Sequence, residues 1–258
     1  MHIVVLLKAV PVVGNERLDD RFRTQRSALE ANGNDEYVLE KALKLIEAHD
    51  GEITLLTMGP ASAVEALRKA LAMGATRAIH IQDDALAGSC VLATINTLTA
   101  ALRKLSFDLV FAGADTSDGQ GGVVAPAVAA KLGLPYLSYA SEIEPAQDGS
   151  SVRVHRLSAA GYDVLEAPTP AFVMGTQVLG EPRYPSLRGI MQARSKEIQT
   201  WSVADLVIEP GTVGDTGATT RVLGAERPPE RAGARFVKES PEVAVAQVVD
   251  LLASRRLI

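Results

Sequence analysis

The residues best suited to chemistry in this chain form one glycine-rich run, Gly113-Ala114-Asp115-Thr116-Ser117-Asp118-Gly119-Gln120-Gly121-Gly122. It follows a strand-like stretch at 108–112 and leads into a helix pattern that begins about Gly121 and stops at Gly133. Backbone N–H groups of a glycine loop, added to those of a helix N-terminus, make an anion site suited to phosphate. Thr116 and Ser117 supply hydroxyl donors beside it. The competing role for such a run is a connector whose glycines serve tight turning. Three further stretches would face the same crevice of a parallel sheet: Lys8-Ala9-Val10-Pro11, Asn32-Gly33-Asn34-Asp35 and Met58-Gly59-Pro60. Each alone reads as a turn or a cap. Together they outline a place for an adenine and a ribose.

Catalytic signatures are missing. The chain has no G-x-x-x-x-G-K-[ST], no G-x-G-x-x-G after its first strand, no H-E-x-x-H and no G-x-S-x-G. His2, His49, His80 and His155 lack ligand spacing and read as structural or surface groups, so no metal site is expected. Cys90 is the single cysteine, which excludes an internal disulfide and any cysteine-built zinc or iron–sulfur centre. At the start of a predicted helix it reads as a small buried apolar residue. Asp83 and Asp84 read as solvated carboxylates at a strand end. The stretch 181–196 is different, because it sets Tyr184, Leu187, Ile190 and Met191 among Arg183, Arg188 and Arg194. Apolar anchors inside a basic rim suit a protein-docking loop, with a connector folded back on the core as the competing role.

The elements that must position these residues are legible as alternating patterns. Apolar runs at 3–7, 53–57, 78–81 and 108–112 suit parallel strands buried on both faces. Helical stripes lie between them at 36–48, 62–73 and 89–102, the second opened by Ser62 and Glu65 at capping-box spacing. Strand–helix alternation of this kind predicts a doubly wound, mostly parallel α/β sheet. Runs at 151–157 and 162–167 around Ala159-Ala160-Gly161 predict an antiparallel hairpin on the sheet edge, and 170–177 one more buried strand. The expected organisation is an α/β domain over 1–192, carrying the hairpin and leading into the docking loop 182–196, then an extended arm over 193–258. The arm is rich in proline and glycine, with Pro210, Pro228, Pro229 and Pro241 among few large apolar residues. It closes on a helix with Ser240 as N-cap, Pro241 at N1, and Val245, Val248, Val249 and Leu252 on one stripe.

Composition narrows the classes further. With 26 Lys+Arg against 31 Asp+Glu, the 258 residues carry a net charge of −5, which argues against nucleic acid or an anionic membrane surface as the main partner. Nothing approaches the roughly 18 apolar residues of a membrane span, and no targeting segment is read at the N-terminus. A soluble, cytoplasmic protein is expected.

Read together, these segments resemble the β subunit of electron-transfer flavoprotein over nearly the whole chain. The resemblance rests on I-V-V-L-L-K-A-V-P at the start, M-G-P at 58–60, R-K-A-L-A-M-G-A at 68–75, S-D-G-Q-G-G-V-V at 117–124 and L-G-L-P at 132–135. Its most specific part is E-P-R-Y-P-S-L-R-G-I-M at 181–191, which neither sheet packing nor a nucleotide loop demands. The resemblance implies a nucleotide-binding-like fold of the adenine nucleotide α-hydrolase kind and a non-catalytic electron carrier. It implies an α subunit that holds most of the redox FAD and is wrapped by the C-terminal arm. Electrons would come from acyl-CoA or other flavin dehydrogenases, as in fatty acid oxidation, and leave to a quinone oxidoreductase. It also implies AMP, or a second FAD, in a pocket of Leu6, Asn32, Gly33, Asn34, Asp35, Met58 and the 113–122 loop. The docking contacts would be Arg183, Tyr184, Leu187, Ile190 and Met191, with Leu187 entering a hydrophobic pocket on the dehydrogenase. Val12 and Val13 stand where many relatives have an acid and some an aromatic, and Asn32-Gly33 where some have Asn-Pro. The alternative is a stand-alone adenine-nucleotide-binding protein resembling the universal stress proteins, which needs neither the 181–191 segment nor the arm. A hydrolase or ligase of the same fold group would need an S-G-G-x-D-S loop and metal ligands, which the chain lacks.

Overall fold

The computed structural model describes residues 1–226, 233 and 236–258. Pro228 and Pro229 of the expected arm lie outside the described residues. The chain divides into two compact units, Met1–Leu223 and Gly224–Ile258. The first runs β1 (His2–Leu6), β2 (Ala9–Pro11), β3 (Leu29–Ala31), α1 (Gly33–His49), β4 (Glu52–Met58), α2 (Val64–Met73), β5 (Arg77–Ile81), α3 (Val91–Leu102), β6 (Leu109–Gly113) and α4 (Val124–Leu132). It continues with β7 (Tyr136–Pro145), β8 (Ser151–Ser158), β9 (Gly161–Pro168), β10 (Ala171–Gly175), α5 (Leu187–Ser195), β11 (Ile198–Trp201) and the single turn α6 (Gly214–Gly217). The second unit holds α7 (Pro241–Ser254). No helix among the described residues is long and apolar enough to cross a membrane.

Nine strands form one sheet in the order β11-β5-β4-β1-β6-β10-β7-β8-β9. The pairings from β11 to β7 are parallel, and β7-β8-β9 closes the edge as an antiparallel meander. Burial on both faces explains the unbroken apolar runs. Ile3 and Val5 of β1 pack with α1 and α2, while Val4 and Leu6 pack with α3 and α4. This is the doubly wound architecture expected from the alternation, with the hairpin around Ala159-Ala160 on the predicted edge.

Three local expectations give way to tertiary contacts. Ser62 does not cap α2, because its hydroxyl donates to the Arg26 carbonyl at 2.6 Å; the helix opens instead through a 3₁₀ turn at Ala61–Ala63. The helix after the glycine loop starts at Val124 and not at Gly121, since Gln120 (φ +47°) and Gly122 (φ +61°) hold left-handed backbone just ahead of it. The compact unit also extends well past residue 192. β11 pairs with β5, and Val203, Leu206 and Val213 are buried beneath α3 and its neighbours. In the second unit α7 begins as its sequence predicts, with Ser240 Oγ accepting from Val243 N at 3.5 Å and Pro241 at the first turn.

Candidate functional site

Strand order reverses between β1 and β6, since the chain proceeds from β1 to β4 on one side and from β6 to β10 on the other. In open α/β sheets a crevice forms outside the carboxyl ends of the strands at that switch point. Here it has a volume of about 1370 Å³ and is walled by Leu6–Lys8, Leu56, Met58–Pro60 and much of the 112–122 loop. Two antiparallel strands, β2 and β3, carry a connection whose Arg23 and Arg26 also reach the crevice.

The glycine loop is held from behind by side chains distant in sequence. Asn32 Nδ2 donates to the Asp115 carbonyl at 2.9 Å, Ser117 N donates to Asn32 Oδ1 at 3.2 Å, and Asn34 Nδ2 donates to Asp115 Oδ1 at 2.7 Å. Lys8 Nζ donates to Asp118 Oδ1 at 2.7 Å and to Thr116 Oγ1 at 3.2 Å, while Arg26 Nη2 donates to Asp118 Oδ2 at 3.0 Å. Burial of the Asp118 carboxyl opposes its ionisation, but the bond and charge of Lys8, with Thr116 and Arg26, outweigh that and bring it down to about 2. Asp35 receives Lys8 N at 2.8 Å and Gly113 N at 3.0 Å. Gly113 is required at that point, because a Cβ there would lie 2.5 Å from Asp35 Oδ1 and 2.7 Å from Asn34 Cβ.

The predicted pocket residues therefore separate into two layers. Leu6, Asp35, Met58, Gly113, Ala114, Asp115, Thr116, Asp118, Gly119, Gly121 and Gly122 line the crevice. Asn32, Gly33, Asn34, Ser117 and Gln120 are not in its wall; Asn32 and Asn34 bind the loop, and Gln120 N donates to Thr116 O at 2.8 Å. Ala127 N is an early helix amide with a partner, donating to Val123 O at 3.2 Å. Pro126 just ahead of it has no N–H, so the helix start offers the amides of Val124 and Ala125, which lack an acceptor one turn earlier in the helix. No atom lies within 4 Å of a Cβ built on Gly121, so the loop keeps open space in front of those donors.

Several lining groups were beyond sequence reasoning. The stretch from Asp83 to Val91 and residues 215–222 complete the far wall. Arg21 and Arg23 both donate to Asp215 Oδ2 at 2.9 Å, bonds that span most of the chain. Cys90 is half-buried at the N-cap of α3 and not in the core. Burial disfavours its thiolate, but the Ala93 amide, the Thr219 hydroxyl and amide, and the Leu92 amide pull the thiol down to about 6. Among the described residues, Glu142, Glu144 and His155 bring three potential ligand atoms within 4.8 Å of one another on the exposed meander, away from the crevice residues.

The predicted docking loop is built around a helix. Ser186 Oγ accepts from Gly189 N at 3.0 Å and starts α5, and Arg68 Nη1 caps its end by donating to Ala193 O at 2.6 Å and Lys196 O at 2.5 Å. Gly189 lies against the Ala72 carbonyl of α2, where any Cβ would overlap. With that inner side fixed, Tyr184 (97% exposed), Leu187 (84%) and Met191 (72%) face solvent, joined by Ile190. Arg183 is not a free rim charge. Its Nε donates to Glu40 Oε2 at 2.8 Å, and its two terminal nitrogens donate to Glu47 at 2.5 and 3.0 Å, tying the segment to α1. Glu47 and then Glu40 raise the Arg183 pKa, against burial. Arg183→Ala should cost about 2 kcal/mol of stability by leaving the buried Glu40 carboxylate short of donors. Urea denaturation checks this, and Arg183→Lys should recover only part because an ammonium cannot fork across two carboxylates.

Comparison with known proteins adds a family. The pattern of the electron transfer flavoprotein domain matches residues 21–206. The chain is 36% identical over 263 residues to the electron transfer flavoprotein subunit beta of Thermoanaerobacterium thermosaccharolyticum, covering all of both chains. It is 35% identical over 267 residues to the protein of the same name from Mycobacterium tuberculosis, covering 100% of this chain and 99% of that one. Protein FixA of Azorhizobium caulinodans is 36% identical over 259 residues, covering 96% of this chain and 92% of its own.

Proposed function

Because the chain belongs to the family of electron transfer flavoprotein β subunits, whose members are electron carriers and not enzymes, we propose that it is the partner-docking, nucleotide-holding half of a two-subunit carrier. Its partner in this reading is an α subunit that holds the redox FAD, and the heterodimer works in the cytoplasm. It takes electrons from acyl-CoA dehydrogenases or other flavin dehydrogenases and delivers them to a quinone oxidoreductase, as in fatty acid oxidation. The observation that carries the reading is α5: Leu187, Ile190 and Met191 held out to solvent by a helix whose inner side is fixed by Gly189, Arg68 and the Arg183 brace, with Tyr184 exposed just ahead of it. A stand-alone nucleotide-binding protein has no use for such a surface.

The crevice suits an adenine nucleotide, AMP or a second FAD. Helix-start amides and an open glycine loop supply phosphate donors; of the cations in the wall, Lys8 and Arg26 already serve Asp118 and Arg21 and Arg23 serve Asp215, while Arg221 also reaches the crevice. Leu6, Leu56 and Met58 offer an apolar wall to a base. The FAD, when bound, carries the electrons; this chain's residues position, exclude water and dock.

Gly122→Val tests the crevice. The residue sits at φ +61°, which a β-branched side chain adopts only with strain of about 1–2 kcal/mol. The variant should purify with the α subunit and its FAD while losing most of its AMP, measured by releasing and quantifying nucleotides. Unchanged AMP, or an unchanged second FAD where that fills the crevice, would place the phosphate elsewhere. Co-purification itself tests the wider reading: a yellow heterodimer supports it, and a colourless homodimer carrying ATP overturns it.

A further inference from the structure

Asp35 lies in the first turn of α1, is 5% exposed, and turns both carboxylate oxygens onto backbone amides. Oδ2 accepts from Lys8 N at 2.8 Å and Oδ1 from Gly113 N at 3.0 Å. Those amides stand at the carboxyl ends of β1 and β6, the two strands between which the order reverses. One carboxylate thus ties together the two edges of the switch point, and the contact at Gly113 leaves no slack for a Cβ. Asp35 is part of the crevice wall, but both of its oxygens are taken by protein amides, so its part is to hold that wall and not to bond a ligand.

The geometry points to Asp35 as a positioning residue that regulates nucleotide affinity: with its charge it holds the crevice edges at binding distance, and with a proton it releases one of them. The inference rests on the nucleotide reading of the crevice given above.

Burial pushes the Asp35 carboxyl up to about 7, against the pull of the Lys8 and Gly113 amides, the Asn32 side chain and the Lys8 charge. It therefore changes charge in the physiological range. The charge that acts on it is Lys8 after β1, which pairs in turn with Asp118 of the glycine loop, itself bound by Arg26 from the β2–β3 connection; Asp118, held near 2, does not titrate in that window. A proton on Asp35 must occupy an oxygen that accepts an amide, so affinity falls as pH falls through 7. Folding has the opposite sign. The folded value lies above the unfolded one of about 3.9, so the stability it contributes is full below the unfolded value and is lost as pH rises through the folded one. Affinity and stability attributable to Asp35 thus run in opposite directions between about pH 6 and about pH 8, which a purely structural carboxylate would not produce.

The test is calorimetric titration of the full chain with AMP across that range, with melting curves, for wild type and Asp35→Asn. The variant retains one acceptor but presents an amide donor to the other N–H. Relative to the variant, which carries the ligand phosphate's own titration, wild type should lose roughly fivefold in affinity on going to the acid end while gaining thermal stability. Gly113→Ala, which presses on the same carboxylate from the other side, should weaken AMP in the same direction if Asp35→Asn does not fold. An Asp35→Asn protein with wild-type affinity and an unchanged pH profile overturns the inference alone. A wild type that binds no AMP at any pH overturns the nucleotide reading and this regulation with it.

Discussion

Ending the chain after Leu223 should leave the sheet folded and weaken its association with an α subunit, whereas ending it after Lys196 should remove most of the domain's stability. The shorter truncation product loses Val203, Leu206 and Val213, all buried with Ile79, Ile81 and Leu102. Burying one aliphatic side chain is worth about 1.5–3 kcal/mol, so the three together approach the roughly 5–15 kcal/mol by which a domain is stable at all. It also loses β11, which pairs with β5 from Ile198 to Trp201, and the Trp201 carbonyl that accepts from Gln82 N at 2.9 Å. β5 would become a bare edge strand, a template for aggregation. The longer product removes only the second unit. Its main element, α7, is 14 residues long, and an isolated helix of that length is marginal in water. Such a helix needs a surface for Val245, Val248 and Val249, and the proposed α subunit supplies one. Urea unfolding of both products, with α-subunit binding by the longer one, decides the matter. Full-strength pairing without residues 224–258 would mean the arm serves another purpose.

The same comparison shows what the residue pattern could and could not reveal. β1, β4, β5 and β6 were legible because burial on both faces leaves a run of apolar residues with nothing else to explain it. The glycine loop was legible because a run of glycines between a strand and a helix is a local pattern, and Gly122 at φ +61° answers a local backbone demand, whereas Gly113 answers a tertiary one, the close approach of Asp35 and Asn34. β11 was not, since Ile198-Gln199-Thr200-Trp201 is four residues long and gains its place only from β5, far back in the chain. Composition had suggested an arm beginning at residue 193 because proline and glycine dominate from 209 onward, while a few buried anchors sufficed to hold 198–223. The site followed the same rule. Asn32 and Asp35 carried a signal, as polar residues at a helix start, but the signal could not say whether they face a ligand or brace a loop. Lys8 with Asp118, and Arg183 with Glu40, are separated by 110 and 143 residues, and no spacing rule reaches across such distances.

Leu187→Ala should slow electron transfer from a cognate dehydrogenase at limiting carrier while leaving nucleotide, flavin and heterodimer intact. Leu187 is the first residue of α5 and makes no contribution to the buried core, so its removal leaves no cavity. The elements that fix the helix, Ser186, Gly189, Arg68 and the Arg183 brace, are untouched by the change. What is lost is an apolar anchor already held in place, and that has an energetic meaning. A docking side chain on a loop must be ordered at the moment of binding, at about 0.5–1.5 kcal/mol for each immobilised side chain. On α5 the backbone part of that cost is met in the free protein. Truncating a central anchor of this kind typically costs at least about 1–2 kcal/mol, or roughly tenfold in affinity. Arg188 and Arg194, which lack the carboxylate brace that occupies Arg183, remain to steer an acidic partner, so the encounter rate and its salt dependence should change less than the lifetime of the complex. Steady-state reduction titrated against carrier concentration measures the apparent affinity, and stopped-flow mixing at two ionic strengths separates the two rates. An unchanged apparent affinity would move the docking site off α5. A loss confined to the association rate would mean that the charged rim, and not the leucine, does the recognising.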